Sequence, residues 1–180
     1  MRVLVAHGAS GKAVSMQPHV DGLEARGIAA VVIDLPLRKA ELAVPAYRER
    51  VETAPVPPRQ LVISGQSYGG RVASLLAAEE ASACAGLICF SYPLHRPGQS
   101  DWDVRSSHWP AISVPVLFLS GESDPFARLD LLRRAVDERL PSATLVTYPG
   151  VGHSLKSVLD DALDRAAAFV REVEEQGSGA

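Results

Sequence analysis

The sequence predicts an α/β fold, a doubly wound and mostly parallel six-stranded sheet with helices on both faces and no lid domain. Three observations carry this expectation. Short apolar runs recur along the whole chain and alternate with longer segments of helical period, the pattern of repeated strand–helix units. The runs are β-branched and apolar at consecutive positions, as parallel strands covered on both faces are. A helical segment between successive strands supplies the crossover that a parallel neighbour needs.

Taken in order, the first strand covers residues 2–6, and the turn His7-Gly8-Ala9-Ser10-Gly11 leads towards a helix over 17–26. A second strand over 30–34 ends in Asp34 and is followed by a helix over 44–53. Val56-Pro57-Pro58 turns the chain into a third strand over 60–64, with a helix over 70–80 and a fourth strand over 86–91. The fifth strand over 116–120, a helix over 128–140 and the sixth strand over 144–147 complete the sheet. The last helix, over 157–175, sets Val158, Leu159, Ala162, Leu163, Ala166, Phe169, Val170 and Val173 on one amphipathic stripe. One connection, residues 92–115, reads as a loop that carries both tryptophans, and loops over strand ends are where substrates are touched. Residues 1–175 are expected to form a single domain and 176–180 a frayed tail.

Composition narrows the function classes. With 47% hydrophobic and 22% charged residues, this is an ordinary globular chain whose 180 residues can bury a sizeable core. A net charge of −3 and the absence of a Lys/Arg run exclude nucleic acid as an expected partner. No apolar stretch approaches a membrane span, and Val3-Leu4-Val5-Ala6 is too short for a signal peptide's apolar region, so a cytoplasmic location is expected. Cys84 and Cys89 fit no metal or redox spacing and read as reduced, mostly buried thiols. His19, His95 and His108 form no metal-ligand spacing either, and His19 reads as a surface residue. No cofactor and no metal are implied, and the sequence specifies no oligomeric state.

The chemistry sits just beyond the strand ends, where open α/β sheets collect their reactive groups. Gly65-Gln66-Ser67-Tyr68-Gly69 follows an apolar strand and opens a helix, the G-x-S-x-G nucleophile elbow in its strand–turn–helix setting. Such a turn strains the serine so that its hydroxyl projects from the sheet, and the glycines remove side chains that would collide with neighbouring backbone. A serine hydroxyl is a weak nucleophile and needs an adjacent base. The fifth strand ends in Gly121-Glu122-Ser123-Asp124-Pro125, and the sixth is followed by Gly150-Val151-Gly152-His153. Ser67, Asp124 and His153 therefore stand in the order nucleophile, acid, base after three separate strands, with Asp124 orienting the imidazole that takes the Ser67 proton. Glu122 is the alternative acid. For the oxyanion hole the Tyr68 N–H is the first donor and Ala9 the second, with Ser10 close behind and His7 orienting the turn.

Two other readings of the first glycine-rich turn fail on spacing. Gly8-Ala9-Ser10-Gly11-Lys12 has too few residues between its glycines for a P-loop, and Ala13 stands where the Mg²⁺-binding hydroxyl belongs. As a dinucleotide-binding turn it lacks the third glycine.

These motifs resemble the α/β-hydrolase superfamily over nearly the whole chain. More narrowly, His7-Gly8-Ala9, Gly65-Gln66-Ser67-Tyr68-Gly69-Gly70-Arg71, Ser91-Tyr92-Pro93-Leu94-His95, Gly121-Glu122-Ser123-Asp124 and Gly152-His153 resemble a small-hydrolase group related to dienelactone hydrolases. That group includes the testis-expressed protein 30 and the third subunit of the non-specific-lethal complex. The resemblance implies a minimal α/β-hydrolase fold with strand order 2-1-3-4-5-6. Dienelactone hydrolases use a cysteine nucleophile where this chain has Ser67, so lactone specificity does not carry over.

The expected function is hydrolysis of a small carboxylic ester or thioester through an acyl-enzyme on Ser67, with a small ester-like molecule as substrate. Tyr68, Tyr92, His95, Trp102 and Trp109 are the expected lining of an open cleft, with His7 and Ser10 beside them, although the tryptophans equally suit a cover over the sheet edge. The alternative is a catalytically silent α/β-hydrolase serving as a binding module or complex subunit.

Overall fold

The computed structural model describes residues 1–178. Its centre is a six-stranded sheet in the order β2-β1-β3-β4-β5-β6, with every neighbouring pair parallel. The strands are β1 (Arg2–Ala6), β2 (Ala29–Ile33), β3 (Leu61–Gln66), β4 (Gly86–Phe90), β5 (Val116–Gly121) and β6 (Thr144–Tyr148). The helices are α1 (Gln17–Glu24), α2 (Ala40–Glu52), α3 (Tyr68–Glu79), the single turn α4 (Asp103–Ser106), α5 (Leu129–Arg139) and α6 (Leu159–Ser178). The architecture and strand order expected from the sequence are both present.

Alternation along each central strand divides the core into two layers. Val3, Val5, Val62, Ile88, Phe90, Leu117 and Leu119 face α1 and α6, where they meet Val20, Leu23, Ala162, Ala166 and Val170. Leu4, Ala6, Leu61, Ile63, Leu87, Cys89 and Phe118 face α2, α3 and α5. The edge strands β2 and β6 are only partly covered, which is where the expectation of strands apolar on both faces holds least well. Tyr47 of α2 is fully buried, and its hydroxyl accepts from the Ser64 N–H at 3.0 Å while lying 2.8 Å from the Ser64 carbonyl. That bond ties α2 to the strand that delivers Ser67.

Several boundaries moved. α2 starts at Ala40, four residues earlier than the pattern suggests, because Pro45 lies inside the helix. A proline normally marks a first helical turn, and here the missing N–H is tolerated one turn further in. The connection of residues 92–115 holds α4 and a 3-10 turn at Trp109–Ala111. α6 includes residues 176–178 of the segment expected to fray, and residues 179–180 lie outside those described. Among the described residues no helix is long and apolar enough to cross a membrane. Both cysteines are buried and unpaired, and burial pushes the Cys84 thiol up to about 12 and Cys89 higher than its ordinary value, so neither is a ready nucleophile.

Candidate active site

β3 delivers its last residue into a sharp turn, and Ser67 adopts φ 49°, ψ −111° as the N-cap of α3. That left-handed backbone is costly for a residue with a side chain and persists because the surroundings fix it. The Ser67 N–H donates to the Phe90 carbonyl at 2.8 Å, and the Ser67 carbonyl accepts the Arg71 N–H at 3.0 Å. A Cβ on Gly65 would lie 2.4 Å from the Gly69 carbonyl carbon, and one on Gly69 would lie 2.7 Å from the Ala6 and His7 carbonyl oxygens. Backbone cannot yield as a side-chain tip would, so the elbow requires both glycines.

At the end of β5 the chain approaches the loop after β6 closely. A Cβ on Gly121 would stand 2.2 Å from the Val151 oxygen and 2.3 Å from the Gly152 oxygen. Backbone bonds close the seam, with the Glu122 N–H donating to Tyr148 O at 3.0 Å and the Ser123 N–H to Val151 O at 2.9 Å. Asp124 and His153 meet across it. The buried Asp124 carboxylate accepts the Phe126 N–H at 2.8 Å on Oδ1 and lies 2.7 Å from His153 Nδ1 through Oδ2. His153 Nε2 lies 2.8 Å from Ser67 Oγ. The Phe126 ring packs on the imidazole, centroids 4.5 Å apart, and holds its plane. Nδ1–H donating to the carboxylate leaves Nε2 free to accept the serine proton. Glu122 is engaged elsewhere, accepting the Thr147 hydroxyl at 2.8 Å.

A model of the alpha/beta hydrolase domain family matches residues 1–176. The chain belongs to the alpha/beta hydrolase domain family. Among solved structures it is similar to the monoacylglycerol lipase of Paleococcus ferrophilus, with TM-score 0.82 and 13% identity over 96% of this chain and 94% of that one. It is also similar to a dienelactone hydrolase from Anabaena variabilis, with TM-score 0.78 and 20% identity over 95% and 85% of the two chains. A thioesterase domain from the curacin biosynthetic pathway aligns with TM-score 0.74 and 16% identity over 94% and 90%. At these identities the likeness is one of fold.

The other candidate residues of this alpha/beta hydrolase domain divide into three groups. His7 is buried and orients the β1 loop: its Nδ1 donates to Gly8 O at 2.8 Å and its Nε2 accepts the Leu35 N–H at 3.1 Å. His95 does the same between two other loops, with Nδ1 donating to Arg96 O at 2.9 Å and Nε2 accepting the Arg128 N–H at 3.0 Å. It clamps the segment that carries Asp124 and Phe126, a positioning contact, and it also lies in the wall of a cleft beside the start of α2. Ala9 and Ser10 are exposed in a turn closed by the Gly11 N–H on Gly8 O, and among the described residues neither the Ala9 nor the Tyr68 N–H donates to a protein acceptor.

Tyr92 and Trp109 do not line a cleft. Both are fully buried in the layer under α3, edge-to-face at 5.2 Å, and the Tyr92 hydroxyl donates to Arg105 O at 2.6 Å. Trp102 is pinned on the flank of α5 between Arg134 and Arg139, whose guanidinium carbons lie 5.4 and 4.8 Å from its ring centre. The aromatic residues of the connection read as a substrate loop thus cover the sheet, while its polar residues His95, Arg96, Gln99, Asp101 and Arg105 line a cleft.

A recess of about 200 Å³ opens on the α1 and α6 side of the elbow, walled by Pro18, His19, Phe90, Ser91, Leu155 and Leu159. Gln66 and Ser154, the sequence neighbours of Ser67 and His153, belong to the same wall. His19, expected at the surface, is half-buried here, its ring edge-to-face on Phe90 at 5.0 Å. Among the described residues no cluster of side chains could hold a metal ion.

Burial pushes His19 down to about 4, and burial with the charge of Arg71 does the same to His108. Both folded values lie below the ordinary 6.5, so the unfolded chain binds more protons between those limits. Stability from these rings is complete above about 6.5 and is lost as pH falls through about 4. Urea unfolding at pH 4.5 is expected to show about 2 kcal/mol less stability per ring than at pH 7. His108→Gln and His19→Asn should each flatten that slope, and slopes equal to the parent protein's would contradict the assignment.

Proposed function

We propose that this chain is a serine hydrolase that cleaves small carboxylic esters or thioesters through an acyl-enzyme on Ser67, without metal or cofactor. The observation that carries the reading is the continuous hydrogen-bond chain Asp124–His153–Ser67, at 2.7 and 2.8 Å, assembled from three loops of the alpha/beta hydrolase fold. A binding module has no use for a buried carboxylate aimed through an imidazole at a strained serine.

In the acylation step Ser67 Oγ attacks the carbonyl carbon and His153 Nε2 takes its proton. Asp124, desolvated and already accepting one backbone N–H, stabilises the imidazolium and fixes its tautomer. The tetrahedral oxyanion is held by the Tyr68 N–H at the start of α3 and the Ala9 N–H of the β1 turn, with the helix dipole favouring the same charge. Collapse expels the alcohol or thiol with the proton from His153, and a water activated by the same imidazole releases the acid. The recess beside Phe90 and Leu155 suits a short acyl group. This reading takes the chain as one domain working in the cytoplasm, within the small-hydrolase group that Ser91-Tyr92-Pro93-Leu94-His95 resembles.

The test is turnover of p-nitrophenyl acetate, with acid quenching to trap acetyl on the Ser67 peptide. Asp124→Asn is expected to lower kcat by about 10³-fold or more, since an amide favours the wrong tautomer. Glu122→Gln should stay within about twofold, because its carboxylate is engaged by Thr147 and not by His153. Equal losses in the two variants would sink the assignment of the acid, and acetyl on any other residue would sink the nucleophile.

A further inference from the structure

A larger cleft, about 740 Å³, opens between the start of α2, Arg71 in the first turn of α3 and the β4 loop. Four cations line it, Lys39, Arg71, Arg96 and Arg105, against two acids, Glu41 and Asp101. Arg71 stands one helical turn beyond Ser67 and its guanidinium is paired with Glu41. Arg105 spends one nitrogen on the Pro93 and His95 carbonyls, at 2.8 and 3.3 Å. Among the described residues Lys39, Arg96 and Arg105 have no carboxylate within ion-pair distance.

Like charges crowded in a half-enclosed cleft repel one another, and the repulsion is stronger where water is partly excluded. The Arg105 guanidinium registers this: burial first, then the charges of Arg71 and Arg96, hold it below its ordinary value. The overall charge of the chain is −3, so the cationic excess is local to this wall. Guanidinium groups present forked donors that match the paired oxygens of a carboxylate or phosphate. The cleft also has an apolar rim, since Leu42 and Val104 line it and are 58% and 64% exposed.

We propose that this cleft binds an oxyanion group, carboxylate or phosphate, carried on an alkyl stem of the ester that Ser67 attacks. The inference rests on the hydrolase reading, which it deepens from esters in general to anionic, amphiphilic esters. Arg105 and Arg96 grip the oxyanion, Arg71 stays with Glu41, and Leu42 and Val104 cover the stem. The reacting carbonyl is then delivered past Tyr68 to Ser67.

The experiment is calorimetric titration of Ser67→Ala protein with monomethyl glutarate, its neutral dimethyl ester and propyl phosphate, at low salt. Binding is therefore read without turnover. The expected result is that at least one anion binds about tenfold tighter than the diester, which one deciding between carboxylate and phosphate. Arg105→Gln should remove most of that preference. Because it also removes bonds to the Pro93 and His95 carbonyls, the exposed Arg96→Gln is the second variant, expected to weaken anion binding several-fold with the fold intact by circular dichroism. Equal or tighter binding of the diester, no binding of either anion, or an anion preference intact in both variants would overturn the proposal. Fluorophosphonate labelling of the parent protein reports separately on Ser67, so a failure here is distinguishable from failure of the hydrolase reading.

Discussion

Replacing Ser67 with alanine is expected to leave the fold standing and to lower ester turnover by about 10⁴-fold or more. The two halves of that expectation come from different contacts. Among the described residues Ser67 Oγ has one protein partner, His153 Nε2 at 2.8 Å, and the imidazole is a quarter exposed, so water replaces the lost bond at a cost of about 1 kcal/mol or less. The backbone bonds that hold the elbow, to Phe90 O and from Arg71, do not involve the side chain. Chemistry loses its nucleophile outright. Circular dichroism and urea unfolding beside p-nitrophenyl acetate turnover check both halves; full activity in the variant would end the acyl-enzyme account.

Gly121→Ala is expected to do what Ser67→Ala does not, lowering stability and activity together. Its Cβ would come 2.2 and 2.3 Å from two backbone oxygens of the loop that carries His153. No rotamer change relieves that clash, so the seam between the β5 and β6 loops has to open. The bonds from Glu122 and Ser123 across it are then strained or lost. We expect about 3 kcal/mol of destabilisation. Turnover should fall about 10²-fold or more, because a displacement of about 1 Å takes the imidazole out of line between Asp124 and Ser67. Gly152→Ala is the comparison, since its Cβ meets nothing closer than Ser123 O at 4.0 Å and should cost far less. Equal thermal stability and turnover in Gly121→Ala and the parent protein would contradict this account of how the two loops are registered.

Gly121 also marks where the sequence stops being readable. The strands and helices were legible because apolar runs and helical period are local properties of the chain, whereas the strand order came from the resemblance to the α/β-hydrolase superfamily. The hydrogen-bonded set Ser67, Asp124, His153 was legible because each residue lies in the loop just past a strand end, and strand ends share one rim of a parallel sheet. Close approach between two loops distant in sequence has no local signature, and a glycine after a strand reads as any turn former. The positioning role of His95 was hidden for the same reason, since its partner Arg128 lies 33 residues away.

Aromatic residues in the loop after β4 misled in the opposite sense. Tyr92 and Trp109 follow a strand end and suggest a substrate wall, yet the single-turn helix α4 and the 3-10 turn beyond it fold them inward under α3. Burying two large rings there closes the layer over Phe118, which they meet at 5.8 and 4.8 Å between centroids. The larger cleft takes its wall from the start of α2, from Arg71 of α3 and from polar residues of the same loop, such as Arg96 and Arg105, rather than from its buried aromatics. The smaller recess draws on α1 and α6.

The central claim is that Ser67 is an activated nucleophile, and intact-mass labelling with a fluorophosphonate tests it without a choice of substrate. The account predicts one adduct per chain, mapped to the peptide of Ser67, and its loss in His153→Ala. An unlabelled, well-folded protein would contradict it and return the chain to the class of silent binding modules, and an adduct that survives removal of His153 would contradict His153 as the activating base.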